Sequence, residues 1–183
     1  MSNLEQSCLV LDLALALKAN GSWAGETHVQ KAGYFLNQLL QVPTGLHFIL
    51  YKHGPFSFDL RELMTEMEAN GFIKWIPQPP YGPSLGEGAL SSTLKAKFAG
   101  LSDQFSTQIG FVARELGSRN VANLERVATA LYVDAEGYIG AARVGRILQL
   151  KPHVNSSLAE KAVEEFDEIR ALARTEGLLP ASN

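Results

Sequence analysis

The segment YKHGPFS, residues 51–57, is the sequence feature that most constrains how this chain folds. It separates an apolar run from a stretch of helical periodicity, residues 46–50 and 58–70. Gly54 tolerates positive φ, while Pro55 fixes its own φ and disfavours the helical region for the residue before it. Ser57 is a favourable N-cap for a following helix. The segment therefore predicts a turn between a strand and a helix, and it carries no reaction chemistry.

The first hundred residues predict the element order of a winged helix. Apolar residues recur at helical spacing in three stripes, and the first strand falls between the second and third stripes. A second strand, an irregular tip rich in proline and glycine, and a returning strand follow. The stripes are residues 4–15, 29–39 and 60–67, and the later elements are 72–76, 77–88 and 89–94. We expect a mainly α fold with a small β-hairpin, in which residues 1–98 form a winged-helix-like domain.

From residue 99 onward the apolar pattern is helical throughout. Stripes at 101–116, 124–131 and 141–148 predict three helices. Ser157 and Glu160 predict a capping box at the start of a fourth helix, which ends near Gly177. No linker-like composition separates the halves, so we expect residues 99–183 to be a helical extension packed on the first domain as one compact unit.

Composition indicates an ordinary globular protein of 183 residues, with 46% hydrophobic and 19% charged residues. The lone Cys8 cannot form an intrachain disulfide, and its apolar neighbours predict a buried thiol. This cysteine usage fits a cytoplasmic protein. The apolar run 8–17 contains Asp12 and is shorter than a membrane span, so we expect no membrane partner.

A resemblance to known families rests on five segments. They are THVQKAGYF (27–35), YKHGPFS (51–57), GFI (71–73), ANLERVAT (122–129) and KP (151–152). Over about residues 5–165 the chain resembles the YwgA-type bacterial proteins and, more distantly, the Panacea (SocA-like antitoxin) domain. The resemblance implies a winged-helix-like fold with appended helices, acting in prokaryotic toxin neutralisation, defence or regulation. It brings no catalytic residue.

Nucleotide-binding motifs are missing from the sequence. There is no P-loop and no G-x-G-x-x-G. His47, Tyr51 and His53 share strand parity, but two histidines lack the further ligands that zinc requires. Trp23 and Trp75 are interpreted as a loop anchor and a core edge rather than as ligand-stacking platforms. We therefore predict no enzyme, no cofactor and no metal.

The turn itself offers a candidate binding corner. Lys52 and His53 lie just before a helix N-terminus, where the backbone N–H groups at Ser57 could donate hydrogen bonds to an anion. We predict that Lys52, His53 and Ser57 bind a small anion or a partner protein.

Charge argues against the usual DNA-binding mode of a winged helix. The third helix carries four acidic residues and one arginine, so phosphate would be repelled there. Only the block 91–153 is net basic, with eight basic and five acidic residues. A phosphate-facing patch in that block would comprise Lys95, Lys97, Arg143, Arg146 and Lys151.

The sequence thus predicts a cytoplasmic, non-catalytic protein-interaction module of the antitoxin, defence or regulatory kind. The alternative is a DNA-binding transcriptional regulator that uses the basic patch instead of the acidic helix. A small enzyme with an unrecognised site is the weaker alternative. The sequence leaves self-association open.

Overall fold

The computed structural model describes residues 1–179, and within them the chain is mainly helical, as predicted. It has two small antiparallel sheets where one hairpin was expected. The helices are α1 (Asn3–Ala19), α2 (Glu26–Tyr34), α3 (Phe58–Ala69), α4 (Ser91–Lys97), α5 (Ala99–Leu116), α6 (Val121–Ala135), α7 (Ala142–Leu150) and α8 (Ser156–Thr175). A π-helical turn, Phe35–Leu39, continues α2. The strands are β1 (Ile49–Tyr51), β2 (Gly54–Phe56), β3 (Ile73–Gln78) and β4 (Tyr81–Glu87).

The segment predicted as a turn is itself half of a hairpin. β1 pairs with β2 from Ile49↔Phe56 to Tyr51↔Gly54, and the chain reverses at Lys52 and His53. β1 and β2 therefore form a two-stranded sheet of their own, and β1 does not join the sheet of β3 and β4. Gly54 has a φ of +89°, a left-handed conformation that glycine tolerates.

The second hairpin differs from the prediction. Residues 77–88, expected to be irregular, include β4, which pairs with β3 from Ile73↔Glu87 to Gln78↔Tyr81. The register shifts between Ile76 and Gln78, so Pro83 falls where the ladder is interrupted and its missing N–H costs no regular pairing. The expected returning strand 89–94 is wrong, because α4 begins there.

Of the two helix N-terminal caps predicted from the sequence, the structure confirms one. The Ser57 hydroxyl accepts the Leu60 N–H at 3.1 Å, so the predicted N-cap of α3 is confirmed. The predicted capping box of Ser157 and Glu160 is wrong, because Asn155 caps α8 by accepting the Leu158 N–H at 2.9 Å.

The core runs through both halves of the chain. α1 packs on α5, and α2 packs on α6, so helices from residues 1–98 and from the later region bury one continuous apolar cluster. Cys8 lies in that cluster as a buried free thiol, as predicted. Within residues 1–179 no helix combines the length and apolar character needed to cross a membrane.

Candidate functional site

Two buried lysines hold the β1–β2 hairpin from beneath. Lys31, on α2, is 2% exposed, and its Nζ donates to the Pro55 carbonyl at 2.8 Å. Lys151, at the end of α7, is 9% exposed, and its Nζ donates to the carbonyls of Tyr51 and Lys52. The hairpin is thereby fixed to two helices that are far apart in the sequence.

Burial controls the ionisation of both anchors. Burial lowers the pKa of Lys31 to about 8, and the nearby Glu125 carboxylate only partly opposes this. Burial likewise lowers the pKa of Lys151, again against the pull of Glu125. Within residues 1–179 neither ammonium forms an ion pair with a carboxylate. Backbone carbonyls are therefore their direct hydrogen-bond acceptors.

Gly54 fits the hairpin closely onto α6. A Cβ at this position would lie 3.2 Å from the Thr129 hydroxyl and 3.3 Å from the Glu125 carbonyl oxygen. Both the positive φ and the close approach therefore favour glycine.

The predicted anion corner is not assembled as expected. Ser57 is fully buried, its N–H donates to Gln30 Oε1, and its carbonyl accepts from Gln30 Nε2, each at 2.9 Å. The Ser57 backbone N–H and carbonyl are both hydrogen-bonded to Gln30, and its hydroxyl accepts the Leu60 N–H. Ser57 is therefore a structural residue and not a ligand for an anion. Lys52 and His53 do lie at the surface, at the tip of the hairpin.

The two tip residues differ in their partners. His53 Nδ1 lies 3.4 Å from Glu125 Oε1, and the His53 side chain is largely exposed. Lys52 forms no ion pair with any residue of the described chain, so its charge faces solvent at the tip.

An exposed aromatic cluster beside the tip was missed by sequence reasoning. Ile49, Tyr51 and Phe58 are 50%, 45% and 50% exposed. Ring centroids are 5.8 Å apart for Tyr51 and Phe56, 5.6 Å for Tyr51 and Phe58, and 5.1 Å for Phe56 and Phe58. We call Ile49, Tyr51, Phe56 and Phe58 the hairpin patch.

A signal for this patch was present in the sequence. Ile49 and Tyr51 alternate on one face of a strand, and Phe56 lies directly opposite Ile49 once the chain reverses at residues 52 and 53. The reversal was not recognised because the segment was interpreted as a turn leading straight into a helix.

Of the five basic residues expected to face phosphate, all but the exposed Lys97 are ion-paired or hydrogen-bonded within the protein, which corrects that prediction. Arg143 is 7% exposed and bonds both carboxylate oxygens of Asp167, at 2.7 and 2.6 Å. The Arg146 guanidinium bonds both carboxylate oxygens of Glu136, at 2.9 and 3.0 Å. The remaining three are held as follows: Lys95 pairs with Asp12 at 3.2 Å, Lys97 lies over the Phe98 ring, and Lys151 holds the hairpin.

Arg143 belongs to a four-residue network that joins three helices. Besides Asp167, its Nη1 contacts Asp134 Oδ1 at 3.2 Å, and Arg170 bonds Asp134 at 2.8 and 2.9 Å and Asp167 at 2.6 Å. The hydrogen bond from Arg143 lowers the pKa of Asp167, and the same bond raises the pKa of Arg143. These cations stabilise the packing of α6, α7 and α8 rather than a ligand.

The histidines that share strand parity point to different acids. His47 Nδ1 lies 3.0 Å from Asp59, whereas His53 approaches Glu125. Among residues 1–179, no three His, Cys, Asp or Glu side chains are grouped so that they could hold a metal ion.

Comparison with known proteins assigns no family to this chain. No protein-family model matches the chain, and no curated protein matches it.

Proposed function

We propose that this chain is a non-catalytic protein-interaction module that binds a partner protein through the hairpin patch. The observation that carries the proposal is the set of mutually packed, solvent-exposed aromatic rings at one corner of the protein. Large aromatic side chains are enriched at protein interfaces and supply most of the binding free energy where they form anchors.

The anchoring of the hairpin supports this proposal. Lys31 and Lys151 tie the backbone of both strands to α2 and α7, and Gly54 lies closely on α6. A surface that is fixed before binding loses less conformational entropy when the partner arrives. The hairpin patch therefore has the rigidity that a specific docking surface needs.

The chemistry of the partner follows from the surroundings of the patch. Lys52 is exposed and forms no ion pair within the described part of the chain, and the largely exposed His53 approaches Glu125 with one ring nitrogen, at 3.4 Å. A partner that offers an apolar surface together with an acidic side chain at the hairpin tip would complement both features. The resemblance to the YwgA-type and Panacea families supports a role in toxin neutralisation, defence or regulation, and the single buried cysteine supports a cytoplasmic setting.

DNA binding has less support than it had from the sequence. Of the cations that would have faced phosphate, all but Lys97 are paired or buried, and α3 remains acidic. Nucleic-acid affinity depends on cations that can neutralise phosphates, so the predicted patch loses most of its capacity for that. No arrangement described above favours the small-enzyme alternative.

The test is partner capture with variants of the patch. Tagged wild-type protein and the double variant Tyr51→Ser with Phe58→Ser are used to capture the partner from host lysate, and the partner is identified by mass spectrometry and purified. Titration calorimetry should then find at least about a tenfold loss of affinity for the double variant. Leu172→Ser, which removes a comparably exposed apolar side chain on α8, should bind as the wild type does.

Two outcomes would contradict the proposal. Equal affinity of wild type and the Tyr51→Ser, Phe58→Ser variant would remove the hairpin patch from the interface. A complex with duplex DNA that weakens steeply with salt, together with no protein partner, would favour the regulator alternative. If the captured protein is a second copy of the chain, sedimentation of both variants decides whether the patch mediates that contact.

A further inference from the structure

A separate cleft of about 550 Å³ lies between the start of α2, α3 and the second hairpin. Its volume is in the range of small-molecule sites. Both tryptophans of the chain line it, Trp23 from the loop before α2 and Trp75 from β3. Flat aromatic walls on a concave surface are typical of sites for flat aromatic ligands.

The loop that carries Trp23 has a constrained backbone. Ala24 is fully buried with a φ of +50°, and its carbonyl accepts the Leu85 N–H from β4 at 3.0 Å. Gly25 has no side chain because a Cβ there would collide with the Trp23 indole. Positive φ at a non-glycine residue costs free energy and persists where the surrounding structure imposes it, as at ligand sites. The indole is thus held against the N-terminus of α2, which has no side-chain cap.

Two buried acceptors on this wall have no hydrogen-bond donor. His28 is 6% exposed, and its Nε2 donates to the Arg119 carbonyl at 2.9 Å, which leaves Nδ1 as an acceptor. His28 Nδ1 and Glu26 Oε1 are both buried, and neither has a hydrogen-bond partner among the side chains that the structure describes. Burial lowers the pKa of His28, so the ring stays neutral and Nδ1 keeps its lone pair. Because such acceptors are costly when unpaired, a ligand that donates to them is favoured.

The charges that line the cleft are balanced. Arg61 Nε lies 3.6 Å from Glu26 Oε1, too far for a hydrogen bond but close enough to offset the carboxylate charge. A simple cation would be repelled by Arg61, and a simple anion would be repelled by Glu26. A neutral ligand meets neither penalty.

We propose that this cleft binds a neutral, planar heteroaromatic compound with N–H donors on its edge, the chemistry of a purine nucleoside. The ring lies against the indole walls, and its N–H groups donate to Glu26 Oε1 and His28 Nδ1. Guanosine offers adjacent N–H donors of the kind that a carboxylate accepts. None of the four hairpin-patch residues lines this cleft, and the inference does not rest on the proposed partner binding.

The experiment uses the two tryptophans as reporters. Guanosine titrated into the wild-type protein should change the tryptophan fluorescence saturably, because both indoles line the cleft. Caffeine, a purine of similar flat shape without N–H donors, should bind at least about tenfold more weakly, since it leaves the buried acceptors unpaired. This arm needs no variant, so it is independent of any folding defect.

A pair of matched variants tests the acceptor directly. Glu26→Gln replaces one carboxylate oxygen by a donor and should weaken guanosine binding about tenfold or more. Glu66→Gln, on the exposed side of α3 outside the cleft, should leave binding unchanged. No saturable signal with millimolar guanosine, equal binding of caffeine and guanosine, or unchanged binding by Glu26→Gln in a folded protein would each overturn the proposal.

Discussion

Two regions of this protein bury cationic side chains and satisfy them differently. Where α6, α7 and α8 meet, Arg143 lies against the full negative charges of Asp134 and Asp167. Beneath the β1–β2 hairpin, the acceptors of Lys31 and Lys151 among the described residues are backbone carbonyls. A carbonyl carries a partial charge, so it compensates an ammonium less completely than a carboxylate does.

The difference appears in the direction of the pKa shifts. The carboxylates raise the pKa of Arg143, whereas burial lowers the pKa of Lys31. The helical network therefore holds its charge throughout the physiological range, and the hairpin anchor can lose its charge in mildly alkaline solution. The structural network belongs to the region without a proposed ligand, and the titratable anchor lies beneath the proposed docking surface.

The largest effect is expected from breaking the compensated network. Arg143→Ala leaves Asp134 and Asp167 with Arg170 as their only partner in it, and we expect the free energy of unfolding to fall by about 3 kcal/mol. Chemical denaturation at pH 7 measures this. The pKa of Asp167 is lowered in the folded state, so its contribution is present above the unfolded pKa and is lost as the pH falls through the folded pKa.

Arg146→Ala is the matched control on the same helix. Arg146 also holds a carboxylate at two points, but the pair lies nearer the surface, so its loss should lower the melting temperature much less. If both variants are destabilised equally, burial of Arg143 does not explain the strength of the network.

The second effect comes from the titration of Lys31. Its folded pKa of about 8 lies below the unfolded value of 10.5, so the unfolded chain binds more protons between these values and stability due to this group rises with pH. The penalty is fully present below about pH 8 and is relieved by about pH 10.5. Between pH 7 and pH 10 the wild type should gain about 2 to 3 kcal/mol relative to Lys31→Met.

The measurement is urea unfolding of both proteins across that pH range, with Lys52→Met as control. Lys52 carries the same charge on the same hairpin but is exposed, so its replacement should leave the pH profile of the wild type unchanged. If the free energies of unfolding of wild type and Lys31→Met differ by the same amount at all pH values, burial does not lower the pKa of Lys31.

The smallest effect tests how closely the hairpin lies on α6. Gly54→Ala places a methyl group at positive φ and within 3.2 Å of Thr129, and we expect a cost of about 2 kcal/mol. Gly137→Ala in the loop after α6 has nearly the same φ, +90°, with no atom within 4 Å of the new Cβ, so it should cost about 1 kcal/mol. Thermal melting of both variants gives the comparison, and equal costs would indicate that α6 does not restrict the hairpin.

The sequence predicted the features that depend on local chemistry. The N-cap at Ser57 depends on a few neighbouring residues and was recognised, and the glycine at position 54 permits the positive φ found there. The Asn155 cap was missed because the nearby Ser157 and Glu160 offered a competing signal of the same kind. β4 was missed because its proline and two glycines obscure the alternation by which strands are recognised.

The candidate site was less predictable because it depends on distant contacts. Lysine and arginine are normally exposed, so Lys31, Arg143 and Lys151 were placed on the surface or left unassigned. Their burial is decided by a carbonyl or carboxylate supplied from elsewhere in the chain, and no local pattern encodes that partner. The hairpin patch was missed for a related reason, since it forms only when the chain reverses between Tyr51 and Gly54.

The contact between Lys151 and Tyr51 has a consequence for synthesis of the chain. The two residues are 100 positions apart. At about 5 to 20 residues per second, a ribosome adds the second hairpin anchor about 5 to 20 seconds after the hairpin itself. For that interval, of the two lysine anchors, the nascent chain contains Lys31 but not yet Lys151. Factors that meet the growing polypeptide therefore encounter this segment before the finished protein can secure it.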